Sequence, residues 1–180
     1  MKQIKTKRLI LTLADIKDLS ALEEIERECD SYFVFDPPFA SEQNRSLKDC
    51  LTMGDIISGV EEKDYQKNNY QLYCVWQNDN LIGFLSFYLE YQQKDIAYLS
   101  VLYIKEAHRK GGIGAEVVEA LVLGLKAYQY RAIRTHCSLR NALALRFWVK
   151  NGFDKILDVE CDGNLFPKNF GGIELMKTIH

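Results

Sequence analysis

The sequence predicts an α/β (α+β) fold: a mixed central sheet of about six to seven strands, antiparallel at the N-terminal side, flanked by about four helices. Three observations predict it. Two aromatic and β-branched runs, "YQLYCVW" and "LIGFLSFYLEY", flank the turn Asn78-Asp79-Asn80, which reads as an antiparallel hairpin. From Asp95 onward, strand-like and helix-like patterns alternate as β-α-β-α-β. A chain of 180 residues with 47% apolar side chains is the size of one compact domain, so residues 1–180 are expected to form a single unit.

Taken in order, "KRLILTL" (7–13) is short and β-favouring and predicts the first strand. Asp15 is placed to cap a helix whose apolar positions Ile16, Leu19, Leu22 and Ile25 fall three apart. The prolines of "FDPPFASEQN" break the chain there. Ser41 then caps a second helical region reaching about Glu62, weakened by Gly54 and Gly59. After the hairpin, "DIAYLSVLYI" is almost continuously apolar and predicts a central strand covered on both faces. A glycine turn leads to a helix ending near Tyr128, with Val117, Val118, Leu121 and Leu125 on one face. "AIRTHCSL" is a strand, "NALALRFWVKN" a helix closed by Gly152, and "FDKILDV" a strand. A loop holding Pro167 precedes the last strand, "GIELMKTI".

Composition narrows the function. Net charge is −2, with 23 basic and 25 acidic residues interspersed, so no basic stripe calls for nucleic acid. No apolar run approaches a membrane span or a signal peptide. Five cysteines, Cys29, Cys50, Cys74, Cys137 and Cys161, are odd in number and form no C-x-x-C pair, which predicts buried thiols in a reducing cytoplasm. His108, His136 and His180 lack metal-ligand spacing, and no metal is expected.

The stretch "HRKGGIGAEVVEAL" holds three glycines in four positions before a helix. A P-loop needs Lys-Ser or Lys-Thr after its last glycine, but Gly114 is followed by Ala115-Glu116. A dinucleotide fingerprint needs a third glycine where Val117 stands. What remains is Arg109-x-x-Gly112-x-Gly114 after a strand ending at Ile104. Successive N–H groups in such a turn form an anion nest backed by the helix dipole, with Arg109 and Lys110 adding mobile positive charge. This suits a pyrophosphate held by backbone without magnesium. The alternative is a tight strand-to-helix turn with no ligand.

Together with Asn141-x-x-Ala144-x-x-Phe147-Trp148-x-x-x-Gly152-Phe153, this segment resembles the GNAT superfamily of acetyl-CoA-dependent N-acetyltransferases. The opening "TKRLILTLADIKDL" and closing "GIELMKTI" are similar to its branch related to ribosomal-protein N-terminal acetyltransferases. The resemblance implies a GNAT-like domain that takes acetyl-CoA and a primary amine of a small molecule or protein, acting as monomer or homodimer in the cytoplasm. It further implies that Leu102 and Ile104 offer backbone groups to the pantetheine arm. The N–H groups of Arg109, Lys110, Gly111, Gly112, Ile113 and Gly114 would hold the pyrophosphate. Asn141 would bond the pantetheine, with Ala144 and Phe147 on the same helix. Asn141 also reads as an N-cap.

The chain departs from the family where its general-acid tyrosine belongs, because Trp148 stands there and an indole N–H does not titrate usefully. Trp148 therefore reads as a packed aromatic. The family's acidic residue early in the central strand aligns with Tyr98, the candidate catalytic side chain, with His136 and Ser138 as further candidates to line the cleft. The leading expectation is direct amine attack in a ternary complex. The alternative from another class is a CoA-binding module with weak or no catalysis, acting as sensor or interaction protein.

Overall fold

The computed structural model describes residues 3–29, 69–161 and 171–180. The expected Ser41–Glu62 helical region, the "FDPPFASEQN" break and the Pro167 loop lie outside them.

Among the described residues eight strands, numbered in chain order, form one sheet in the order β1-β2-β3-β4-β5-β6-β8-β7, one or two more than expected. The strand expected over 7–13 is β2 (Ile10–Leu13), and an unpredicted strand, β1 (Gln3–Lys5), precedes it and pairs with it as a small hairpin. Thr6 closes it: its hydroxyl accepts from the Leu9 N–H, while the Thr6 N–H donates to the Leu9 carbonyl. Asp15 caps as expected, accepting from the Ile16 N–H, but one 3-10 turn (Ile16–Asp18) intervenes before α1 (Leu19–Cys29).

The hairpin of β3 (Tyr70–Gln77) and β4 (Asn80–Tyr88) turns on two residues, Asn78 and Asp79, with φ of 48° and 62°. Left-handed backbone at both positions is what Asn and Asp tolerate, and it matches the twist of the strands. β5 (Ile96–Ile104) follows antiparallel to β4, then α2 (Ile113–Ala127), β6 (Ala132–Ser138), α3 (Ala142–Lys150), β7 (Lys155–Cys161) and β8 (Gly171–Thr178). Among these described strands only the neighbours β5 and β6 run parallel; β8 lies antiparallel between β6 and β7. The fold is thus the predicted mixed α/β sheet, with three α-helices among the described residues.

Alternation divides the apolar side chains between two layers. On one face Tyr73, Val75, Leu85, Phe87, Ala97 and Leu99 meet Val117, Leu121 and Leu125 of α2 and Trp148 of α3. On the other, Leu72, Cys74, Phe84 and Tyr103 meet Leu22 and Ile25 of α1. Both faces of β3 and β4 are covered, which explains their unbroken buried runs.

Burial pushes the Cys74 thiol from 9.0 up to about 12, helped by neighbouring Asp18, and burial pushes the Tyr73 phenol from 10.0 to about 12. Folding therefore favours the protonated forms. The stability they support is complete below pH 9 and is lost as pH rises toward 12. Cys74→Ala is expected to flatten the first part of this alkaline decline, visible when urea unfolding is repeated across that range. An unchanged slope would contradict the assignment.

Candidate active site

The site begins where two strands part. β5 and β6 pair from Ile96↔Ala132 to Leu99↔Thr135 and no further. At the last pair the buried Thr135 hydroxyl donates to the Leu99 carbonyl at 2.9 Å. Beyond it, Ser100 is the extra residue of a bulge: Ser86 pairs with Val101 and Phe87 with Leu99. A bulge bends its strand and disrupts the local ladder. From Ser100 to Ile104, β5 therefore stays with β4 and leaves β6, opening a wedge with backbone on one wall. This is why the strand expected to be covered throughout is open in its middle, with Val101 38% exposed.

The wide end of the wedge meets the glycine turn. Lys110 and Gly112 both adopt left-handed backbone, with φ of 64° and 78°. Gly112 is the N-cap of α2, and no side chain caps that end. The Glu116 N–H donates to the Gly112 carbonyl at 3.1 Å, so the N–H groups of Ile113, Gly114 and Ala115 come before the first helical bond and lack an acceptor within the helix. The Ile113 side chain is buried, leaving only its backbone for a ligand. Lys110 is exposed. Arg109 is not the mobile cation its sequence context suggested: its Nε donates to the Ile104 carbonyl at 2.6 Å and its guanidinium lies 5.0 Å from the Tyr103 ring centre. The side chain ties the turn to the end of β5.

The three glycines differ. A Cβ on Gly111 would meet nothing within 4 Å, whereas one on Gly114 would lie 3.1 Å from the Phe147 ring. Gly114 thus lets α3 press against the first turn of α2, and the two motifs read separately in sequence touch in space. Asn141 caps α3, its Oδ1 accepting from the Ala144 N–H at 3.0 Å. Trp148 is buried, edge-on to both Phe147 and Phe153 at 4.9 and 5.1 Å. Leu102 and Ala144 are partly buried against the same core.

Tyr98 lies opposite Arg134, within the closed end of the wedge and on the face away from α2. Its ring lies tilted against Tyr91, with centres 4.5 Å apart, and the Arg134 guanidinium sits 5.5 Å from the Tyr91 ring centre. Arg134 also pairs with Glu174 at 2.6 Å, and Glu174 is the β8 partner of His136. Burial pushes the Tyr98 phenol far up, and Tyr91 and Glu174 add to this against the pull of Arg134. At neutral pH Tyr98 is thus a neutral hydrogen-bonding group, not a base. The buried Ser138 lies past the last β5–β6 pair.

The family model for the Acetyltransferase (GNAT) family matches residues 20–153. The chain belongs to the GNAT acetyltransferase family. Its members use acetyl-CoA as the acetyl donor. No curated protein sequence matches the chain. Among solved structures, an acetyltransferase from Thermus thermophilus is 18% identical over 98% of this chain and 99% of that one, with a TM-score of 0.68. The Salmonella typhimurium acetyl transferase that modifies the N-terminal serine of ribosomal protein L7/L12 is 16% identical, covers 99% of both chains and has a TM-score of 0.74. The RimL L7/L12 α-N-protein acetyltransferase in complex with coenzyme A is 16% identical, with 98% of both chains covered and a TM-score of 0.73. At these identities the likeness is one of fold.

Sequence reasoning missed the Arg134–Glu174 pair and a clasp at the glycine turn formed by Thr6, Arg8 and Glu116. Charged residues inside otherwise apolar strands were the available signal for the first pair. Among the described residues no helix is long and apolar enough to cross a membrane, and no group of three or more His, Cys, Asp or Glu residues is placed to hold a metal.

Proposed function

We propose that residues 1–180 act as one N-acetyltransferase domain that moves the acetyl group of acetyl-CoA to a primary amine of a small molecule or protein, in a ternary complex and without a covalent enzyme intermediate. The observation that carries this reading is the wedge between β5 and β6 opening onto an α2 N-terminus that no side chain caps. Leu102 and Ile104 present backbone groups to the pantetheine arm on the β5 wall. The N–H groups from Arg109 to Gly114 take the pyrophosphate, backed by the dipole of a helix long enough to matter. Asn141 caps α3 and faces the arm, with Ala144 and Phe147 beside it.

The chemistry asks for an amine held beside the thioester, a donor for the oxyanion and a route for two protons. A backbone N–H between Leu102 and Ile104 supplies the oxyanion donor. Tyr98, kept neutral, positions the acceptor by hydrogen bonding. The amine's proton passes to water, and the thiolate departs on its own, tolerable for a thiol of ordinary pKa about 8.5. The interspersed charge and the cysteine pattern of the sequence suit an enzyme acting on small-molecule or protein amines in the cytoplasm.

Two measurements test this reading: calorimetric titration with CoA, and release of free thiol from acetyl-CoA across a panel of amines. Gly112→Val places a β-branched residue in left-handed backbone, at a cost of about 1–2 kcal/mol or more, and is expected to weaken CoA binding about tenfold or more. Gly111→Ala is expected to change it by less than roughly twofold, since nothing surrounds its Cβ. Equal effects at both glycines would discredit the cradle. CoA binding without turnover of any amine would favour the non-catalytic module, the reading that Trp148 in place of a tyrosine keeps open.

A further inference from the structure

We propose that Arg8 is a positioning residue of the phosphate-binding turn: it fixes the Gly111 carbonyl and neutralises Glu116, so that an incoming pyrophosphate meets N–H groups and no net negative charge. The proposal rests on the CoA-binding reading above and concerns a residue far outside both sequence motifs.

Glu116 stands in the first turn of α2. A carboxylate there is favoured by the helix dipole, but it occupies the positive end that an anionic ligand would use and repels that ligand. The fold answers this from more than a hundred residues away. Arg8 Nε donates to Glu116 Oε2 at 2.6 Å, the Arg8 backbone N–H donates to Oε1 at 3.0 Å, and the Thr6 hydroxyl donates to the same oxygen at 2.5 Å. Burial alone would push the Glu116 carboxyl up, yet the bonds from Thr6 and Arg8 outweigh it and hold it below the usual carboxylate range. Glu116 is therefore ionised, and its charge is met by a guanidinium.

The same guanidinium reaches the turn. Arg8 Nη1 donates to the Gly111 carbonyl at 2.9 Å, and a Cβ on Gly112 would lie 3.6 Å from Nη2. No described peptide is cis. In a trans peptide the carbonyl and the next N–H point to opposite sides, so fixing the Gly111 oxygen also fixes the direction of the Gly112 N–H. That N–H lies between the two left-handed residues of the turn, where a nest forms.

The Arg8 side chain is 41% exposed. Ion pairs this open contribute little to folding, so the clasp acts on the ligand and not on the fold. Arg8→Ala is expected to raise the calorimetric Kd for CoA and the KM for acetyl-CoA by about tenfold each, the loss of one charge-assisted contact, with kcat within roughly twofold. Its thermal midpoint is expected to stay within a few degrees of wild type. Arg8→Ala/Glu116→Gln is expected to recover part of the lost affinity, because the unpaired carboxylate is gone. Arg8→Lys, which keeps the charge but loses the fork, should fall between wild type and Arg8→Ala.

Wild-type CoA affinity in Arg8→Ala would overturn the proposal while leaving the CoA-binding reading intact. So would no recovery in the double variant, or a loss of affinity that merely tracks a large drop in thermal midpoint. A wild-type protein that binds no CoA would overturn both.

Discussion

Replacing Gly83 by alanine is expected to destabilise the fold by about 3 kcal/mol or more, the upper end of what overpacking costs. A Cβ at Gly83 would lie 2.2 Å from the Tyr103 carbonyl oxygen and 2.8 Å from Cδ1 of Ile104. The isoleucine can change rotamer, but the backbone oxygen of Tyr103, whose residue is paired with Phe84 in the ladder, cannot turn aside in the same way. Gly83 is paired with Ile104, and the Lys105 N–H donates to the Ile82 carbonyl at 2.8 Å, so this contact pins the last residues of β5. Pushing β4 away from β5 here also moves the strand end to which Arg109 ties the glycine turn. Both the urea midpoint and the CoA affinity are therefore expected to fall together. A loss below about 1 kcal/mol, or a stability loss with unchanged CoA affinity, would show that β5 relaxes without disturbing the cradle.

What the sequence made legible was local. Asn78-Asp79-Asn80 announced a hairpin because Asn and Asp tolerate positive φ, though Asn80 proves to be the first residue of β4 and the turn is only Asn78 and Asp79. The helices α2 and α3 were legible from their apolar spacing and from Asn141, whose cap is seen in the structure. The strand β1 and the turn that joins it to β2 were hidden, because the turn's signal is a single threonine hydroxyl closing on Leu9. The position of β8 between β6 and β7 was equally hidden, since strand order leaves no trace in periodicity. Arg109 shows the limit most clearly: a basic residue before a glycine turn fits a free phosphate ligand and a brace on Tyr103 equally well until side-chain geometry decides. The Arg8–Glu116 clasp and the parting of β5 from β6 depend on contacts between distant segments, and no local pattern encodes them.

The second large effect is expected at Trp148, and here packing and chemistry separate cleanly. Trp148→Ala should cost about 3–5 kcal/mol, because it empties a buried site between Phe147 and Phe153 that joins α3 to the main core. That loss is a large fraction of typical domain stability, about 5–15 kcal/mol, so the variant is expected to unfold at a much lower temperature by circular dichroism. Trp148→Phe keeps a ring in contact with both neighbours and is expected to fold. If the thiolate leaves without a donor from this position, as the lack of a titrating group implies, its kcat should remain within roughly threefold of wild type. Trp148→Tyr is the informative partner, since it installs a phenol where the family carries its general acid. A kcat at or above wild type would mean that proton delivery from α3 is dispensable in this chain or merely helpful. A folded Trp148→Phe that loses a hundredfold or more in kcat would mean instead that the indole takes part in the reaction. Trp148 itself belongs to the core, and its link to the glycine turn runs through Phe147, its neighbour on the helix, whose ring packs against Gly114.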